Sequence, residues 1–257
     1  MRETVLDAAH IGEERAGSPA RAPLHVVHLG LVPYARALEL QRGVARARIS
    51  GAISHDVLLL LEHPPVVTLG RSSKAQHLVA TPDMLAQRGV ELFEAERGGD
   101  VTFHGPGQLV GYPIVNLRGH KQDLHWYLRQ VEAMLMRALE NFGVPAERSV
   151  GRTGVWTLGR KIASIGVHAR DWVTWHGFAL NVSNDLSFFD LIVPCGLSGV
   201  TMTSIARELG AGAPSFPTVA ATVAASFSSV FALDPETLDP EELSAMLPAL
   251  QDCAASR

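Results

Sequence analysis

The sequence predicts an α+β domain with a central, mainly antiparallel sheet flanked by helices. Two observations predict it. Short apolar runs bounded by Gly and Pro alternate with longer stretches at the helical period. The two kinds interleave without the regular strand–helix–strand repeat of a parallel α/β sheet. Residues 1–24 mix acids, Ala, Gly and Pro with no apolar period and read as a flexible tail before one domain over 25–233. Residues 34–50 place Ala, Leu and Arg at helical spacing. Arg42, Arg46 and Arg48 give that helix a basic side, on which Arg42 and Arg46 share a face. Val57 to Leu61 are continuously apolar and are stopped by His63-Pro64-Pro65, which reads as a buried strand and a turn; Val66 to Leu69 is its return strand. Val101 to His104 and Gln108 to Leu117 read as strands around Gly105-Pro106-Gly107. Asp123 caps a helix whose apolar positions Leu124, Leu128, Val131, Leu135, Leu139 and Phe142 keep the helical period until Gly143. Strands return at 153–158, 161–168 and 178–182. Helices follow at 203–209 and after Pro217. Residues 234–257, acidic and then rich in Ala and Leu, read as a helical or frayed extension.

Composition narrows the function classes. Of 257 residues, 47% are hydrophobic and 19% charged, enough apolar surface to exclude fibrous, low-complexity and disordered classes. A net charge of −4 gives no global basic surface for nucleic acid. No apolar run approaches the roughly 18 residues that cross a bilayer. Glu3, Asp7, Glu13 and Glu14 stand where a signal peptide would need an apolar core. Cys195 and Cys253 form no disulfide framework. The expectation is a cytoplasmic protein with neither nucleic-acid nor membrane partners.

Three segments carry chemistry-bearing residues. In Arg97-Gly98-Gly99-Asp100-Val101-Thr102-Phe103-His104-Gly105-Pro106-Gly107-Gln108, the glycines let main chain approach a ligand closely, and Arg97 and His104 can orient a polar group. The same residues also suit a tight turn with polar rims. Cys195 lies in Ile192-Val193-Pro194-Cys195-Gly196-Leu197, where the flanking Pro and Gly favour a turn that can project a thiol into a cleft. A buried cysteine acting as a small hydrophobe is the other reading. Lys161 lies in Gly159-Arg160-Lys161-Ile162-Ala163-Ser164-Ile165-Gly166. It is either an inward ammonium that needs a task or a partner, or an edge-strand lysine that blocks aggregation. Near a cysteine it would favour the thiolate and carry its proton. His168 and His176 flank Asp171-Trp172-Val173-Thr174-Trp175 and can line a pocket, although a solvated turn also accounts for His168. The eleven histidines include no HExxH and the cysteines no CxxC, so no metal and no cofactor is expected. The phosphate-loop, dinucleotide and G-x-S-x-G motifs are absent.

From about Leu58 to Leu209 the chain resembles the lipoyl(octanoyl) transferases, which transfer octanoyl groups from octanoyl-acyl carrier protein. The resemblance rests on ordered blocks: Leu60-Leu61-Glu62-His63-Pro64-Pro65 with Thr68-Leu69-Gly70-Arg71, Arg97 to Gln108, Gly154-Val155-Trp156, Lys161 to Gly166, Trp172 to Val182, and Val193-Pro194-Cys195-Gly196. It implies a fold like that of biotin and lipoate protein ligases. It also implies octanoyl transfer to a lysine of lipoyl domains, in 2-oxoacid dehydrogenase E2 subunits and the glycine cleavage H protein, as a first step of protein lipoylation. By the same resemblance Cys195 forms an acyl-thioester and Lys161 lowers that thiol's pKa. The implied substrate-binding residues are Arg97, Gly98, Gly99, Asp100, Val101, Thr102, Phe103, His104, Ser164, Ile165, Gly166, Gly177, Phe178 and Ala179. An ATP-dependent lipoate or biotin ligase is the nearest alternative, but it would not require Cys195, and the biotin family's G-R-G-R-x-G is missing. A non-catalytic acyl-carrier-binding module would need neither Cys195 nor Lys161.

Overall fold

The computed structural model describes residues 21–196 and 199–247. Of the expected N-terminal tail, residues 1–20 lie outside the described residues, as does Cys253. The chain runs through β1 (Ala22–Leu31), α1 (Tyr34–Ser50), β2 (Asp56–Glu62), β3 (Val66–Leu69), α2 (Pro82–Gln87) and β4 (Glu91–Glu94). It continues with β5 (Val101–His104), β6 (Gln108–Ile114), α3 (Leu124–Glu140), β7 (Glu147–Ser149), β8 (Arg152–Thr157), β9 (Arg160–Arg170) and β10 (Val173–Asn181). It closes with α4 (Ile205–Leu209), α5 (Phe216–Phe231), β11 (Leu233–Thr237) and α6 (Pro240–Met246).

Among the described residues, an eight-stranded sheet has the order β11-β1-β2-β6-β10-β9-β8-β7, and a smaller one the order β4-β3-β5. β1 runs parallel to both its neighbours; the remaining pairs of the large sheet are antiparallel. The architecture is the expected α+β one. Helices cover both faces of the large sheet, and the side-chain period of two divides the β2 run between them. Leu58 and Leu60 join the core under α3 and α5, with Val131, Leu135, Val223 and Phe227. Val57, Leu59 and Leu61 join the core under α1 and α6, with Ala37, Val44 and Leu243. The Asp123 side chain caps α3 by accepting from Trp126 N–H at 3.0 Å. No described helix is long and apolar enough to cross a membrane.

The structure adds elements that periodicity did not reveal. β1 begins at Ala22, inside the stretch read as a tail, and its Leu24, Val26 and Val27 are buried. β11 carries Pro235, which reads against a strand, yet it occupies the sheet edge, where a missing N–H is tolerated. The expected 233/234 boundary falls within this strand. β9 runs on to Arg170 and β10 starts at Val173, because Asp171 and Trp172 at φ 52° and 66° make a two-residue hairpin turn.

Candidate active site

A cavity of about 230 Å³ lies where β9 and β10 meet the smaller sheet. Main chain from the two sheets approaches closely here: Gly98 N–H donates to Val167 O at 2.8 Å. A Cβ on Gly166 would stand 2.6 Å from Gly98 O, so only glycine admits this seam; within the smaller sheet, a Cβ on Gly70 would likewise meet Gly99 O. Arg97, Gly99, Asp100, Val101, Thr102 and His104 line the cavity from one side. Ser164, Ile165 and Gly166 of β9, with Gly177, Phe178 and Ala179 of β10, line it from the other. Two of the expected substrate-binding residues are not on its wall. Gly98 faces the seam, and Phe103 stacks on Phe188 at 4.8 Å in the core of the smaller sheet.

Lys161 lies on the cavity wall and is 1% exposed, in an internal strand between β10 and β8. That decides between the two readings of this residue: it is inward, not an edge lysine. Its Nζ sits 5.0 Å from the centroid of the Trp156 ring, a cation–π contact. Gly154 makes the room: at φ 131°, a Cβ there would lie 2.9 Å from Lys161 Cε and 2.7 Å from Ala163 O. Gly154 is itself fixed by its N–H donating to buried Glu132 at 3.2 Å. Lys161 main chain bonds a second segment, with its N–H to Thr201 O at 2.8 Å and its C=O from Thr203 N–H at 2.9 Å.

That second segment follows the Pro194–Gly196 turn, one turn of 3₁₀ helix that contains the main chain of Cys195; the side chain of Cys195 lies outside the described residues. The turn is tied to Val193 N–H, which donates to His77 O at 2.8 Å. Gly196 at φ 65° packs against Asp100 Oδ2 and His77, themselves bonded at 2.7 Å. Asp100 also accepts from Val101 N–H at 2.8 Å. The 97–104 block therefore supports the cysteine turn as well as lining the cavity.

Arg97 is buried and braces the smaller sheet, donating to Thr68 Oγ1 and O at 2.7–3.1 Å. His104 Nδ1 is 2.8 Å from Gln108 Oε1, and Gln108 Nε2 donates to Asn181 Oδ1 at 2.9 Å. Burial holds His104 well below the usual histidine pKa, so it is neutral at physiological pH. Tyr34, Tyr112, His176 and the exposed Gly151, Arg152 and Thr153 complete the lining. Of these, sequence reasoning had raised only His176; Tyr34 opens α1 after Pro33 and carries no local signal of a pocket. Arg42, on the basic side expected for α1, reaches across to bind Glu96 in a bidentate pair at 2.9 and 2.7 Å. Glu96 also accepts from Trp175 Nε1 at 3.1 Å.

Residues 33–228 match the family model described as the lipoyl protein ligase A/B catalytic domain. An octanoyltransferase of Gloeobacter violaceus is 48% identical over 228 residues, spanning 89% of this chain and 98% of its own. One from Acidobacterium capsulatum is 52% identical over 199 residues, spanning 72% and 80%. A structure of the bi-partite lipoate protein ligase of Thermoplasma acidophilum matches with a TM-score of 0.71 at 14% identity, covering 88% of this chain and 90% of that one, a likeness of fold.

Proposed function

We propose, from the premise that the chain belongs to the octanoyltransferases of the lipoyl protein ligase A/B catalytic-domain family, that it moves an octanoyl group from acyl carrier protein to a lysine of a lipoyl domain. The acceptors on this reading are the lipoyl domains of 2-oxoacid dehydrogenase E2 subunits and the glycine cleavage H protein, in the cytoplasm. The catalytic unit is the proposed 25–233 domain. The single observation that carries the mechanism is the buried Lys161 on the cavity wall, bonded through its main chain to the segment that follows the Cys195 turn.

The Cys195 thiolate attacks the carbonyl carbon of the carrier's thioester. The tetrahedral intermediate collapses, the new carbon–sulfur bond remains, and the carrier leaves as a thiolate that takes a proton. One thioester replaces another, so no nucleotide is consumed. The acceptor lysine, as free amine, then attacks the acyl-enzyme, forms the amide and releases the Cys195 thiolate. Lys161 supplies positive charge for the thiolate, gives its proton to the departing carrier thiolate, and as the free amine then takes the proton that the acceptor lysine loses when the Cys195 thiolate departs. Main-chain N–H groups of the glycine-rich wall are the oxyanion donors. Ile165, Phe178 and Ala179 hold the acyl chain, each buried CH₂ contributing about 0.8 kcal/mol.

The test is to mix the enzyme with octanoyl-carrier and an unmodified lipoyl domain, with and without ATP. Equal octanoylation in both supports the transferase reading. Octanoylation that depends on ATP would overturn it in favour of a ligase.

A further inference from the structure

The cavity reaches the surface at the β7–β8 hairpin, where an arginine stands that the transfer chemistry does not use. Gly151, Arg152 and Thr153 are exposed and line the cavity, and Lys161, at 1% exposure, lines it deeper in. The ammonium lies close to the hairpin: Lys161 Nζ would stand 3.4 Å from a Cβ on Gly154. Gly154 is two residues along β8 from Arg152, and alternate residues of a strand share a face.

The hairpin is braced against α3. Arg152 pairs with Ser149 across it. Arg148 donates to Glu132 Oε2 at 2.9 Å and to Arg129 O at 3.0 Å. Arg129 donates to the same Glu132 oxygen at 2.6 Å, so two guanidinium groups share one buried carboxylate. Among the described residues no acid pairs with Arg152. Even with the exposed Glu147, this group of side chains carries surplus positive charge. The mouth therefore favours an anion.

An acyl carrier presents its thioester on a phosphopantetheine arm, whose far end is a phosphodiester. About thirteen bonds separate that phosphorus from the thioester sulfur, an extended span of about 15 Å at about 1.2 Å per bond. From the Lys161 ammonium, two residues of β8 cover about 7 Å and the arginine side chain about as much again. The guanidinium is therefore within reach of the phosphate when the thioester stands at Lys161.

We propose that Arg152 binds the phosphate of the carrier's arm and so fixes how far the thioester enters the cavity. The proposal rests on the acyl-transfer reading. A phosphodiester is a permanent anion, and a guanidinium fork bonds its two free oxygens together. Arg152 is exposed, so salt screens the contact, and it acts on donor binding rather than on the chemical step.

The experiment compares octanoyl thioesters of pantetheine and of 4′-phosphopantetheine, which differ by one phosphate, with a lipoyl domain as acceptor, in the wild type and in Arg152→Gln. The wild type should prefer the phosphorylated donor about tenfold in kcat/KM, equivalent to about 1.4 kcal/mol. The preference should lie in the donor KM and shrink as salt rises. In Arg152→Gln it should fall to about twofold. A wild type that uses both donors equally would overturn the proposal, and that comparison decides alone if Arg152→Gln does not fold. A preference that survives in Arg152→Gln would place phosphate recognition elsewhere and overturn it too. If Arg152→Gln instead raises the KM for the lipoyl domain equally with both donors, Arg152 is an acceptor contact and the proposal fails. A wild type that transfers octanoyl without discriminating loses the subsite and keeps the function. One that transfers from neither donor nor from the carrier loses both.

Discussion

β2 and β10 lie on either side of β6, and both are buried along almost their whole length, yet only β10 lines the cavity. β2 is Asp-Val-Leu-Leu-Leu-Leu-Glu, and its aliphatic side chains divide between two cores. β10 puts His176, Gly177 and Asn181 into equally buried positions. His176 adopts a left-handed conformation. Gly177 admits Gly111 O where a Cβ would clash. Asn181 donates to Thr203 O at 2.9 Å, and Thr203 N–H in turn bonds Lys161 O. Burial in β2 stabilises the sheet; burial in β10 and its partner β9 gives up packing to place polar groups. Changes in β2 should therefore cost stability and spare turnover, and changes around β9 and β10 should cost turnover first.

The largest effect is expected at Lys161. Lys161→Met keeps the apolar stem and removes the charge, and turnover should fall by about two orders of magnitude or more. On the proposed mechanism iodoacetamide should also alkylate Cys195 more slowly near neutral pH, since loss of the Lys161 charge would disfavour the thiolate. Coincident alkylation profiles against pH would show that Lys161 does not act on the thiol.

On the β2 side, Leu59→Ala removes a fully buried side chain and should cost about 2–5 kcal/mol in denaturant unfolding. Turnover per folded molecule should stay near the wild-type value. A selective loss of turnover would erase the distinction between the two strands.

Gly177→Ala drives a Cβ against Gly111 O and should cost about 1–3 kcal/mol. It should also lower turnover per folded molecule, because β10 must shift relative to the cavity. A destabilised variant with normal turnover would make Gly177 a packing residue only.

The smallest effect is expected at Arg42. Its pair with Glu96 is exposed enough for solvent to screen it, with the two side chains 46% and 25% accessible. Arg42→Ala should therefore cost about 1 kcal/mol or less. A few-fold change in turnover should accompany it, through Glu96 and the neighbouring Trp175 and His176, and should appear equally with carrier-bound and small thioester donors. A loss confined to carrier-bound donors would instead make Arg42 a docking residue.

The fold was most legible where one physical signal acted alone. The β2 run, the Asp123 cap and the helical period of α3 each follow from local chemistry and stand where they were expected. β1 was missed because His25 and His28 interrupt its apolar pattern, and β11 because Pro235 reads as a break. The β9–β10 hairpin hides its turn in Asp171-Trp172, which lacks the glycine that usually marks positive φ. Most of the expected substrate-binding residues line the cavity, since close main-chain approach demands glycine and leaves a mark in the sequence. Tyr34 and Tyr112 left no such mark. They come to the cavity from α1 and β6, and only the tertiary fold places them there.

The central claim is a covalent acyl-enzyme on Cys195. Its most direct test is the intact mass of the protein after incubation with octanoyl-carrier, without acceptor or nucleotide, followed by peptide mapping. The account predicts one octanoyl group per chain, located on Cys195, released by hydroxylamine and absent from Cys195→Ser, which should also lose transfer to the lipoyl domain. A Cys195→Ser variant that octanoylates the lipoyl domain at the wild-type rate would contradict it.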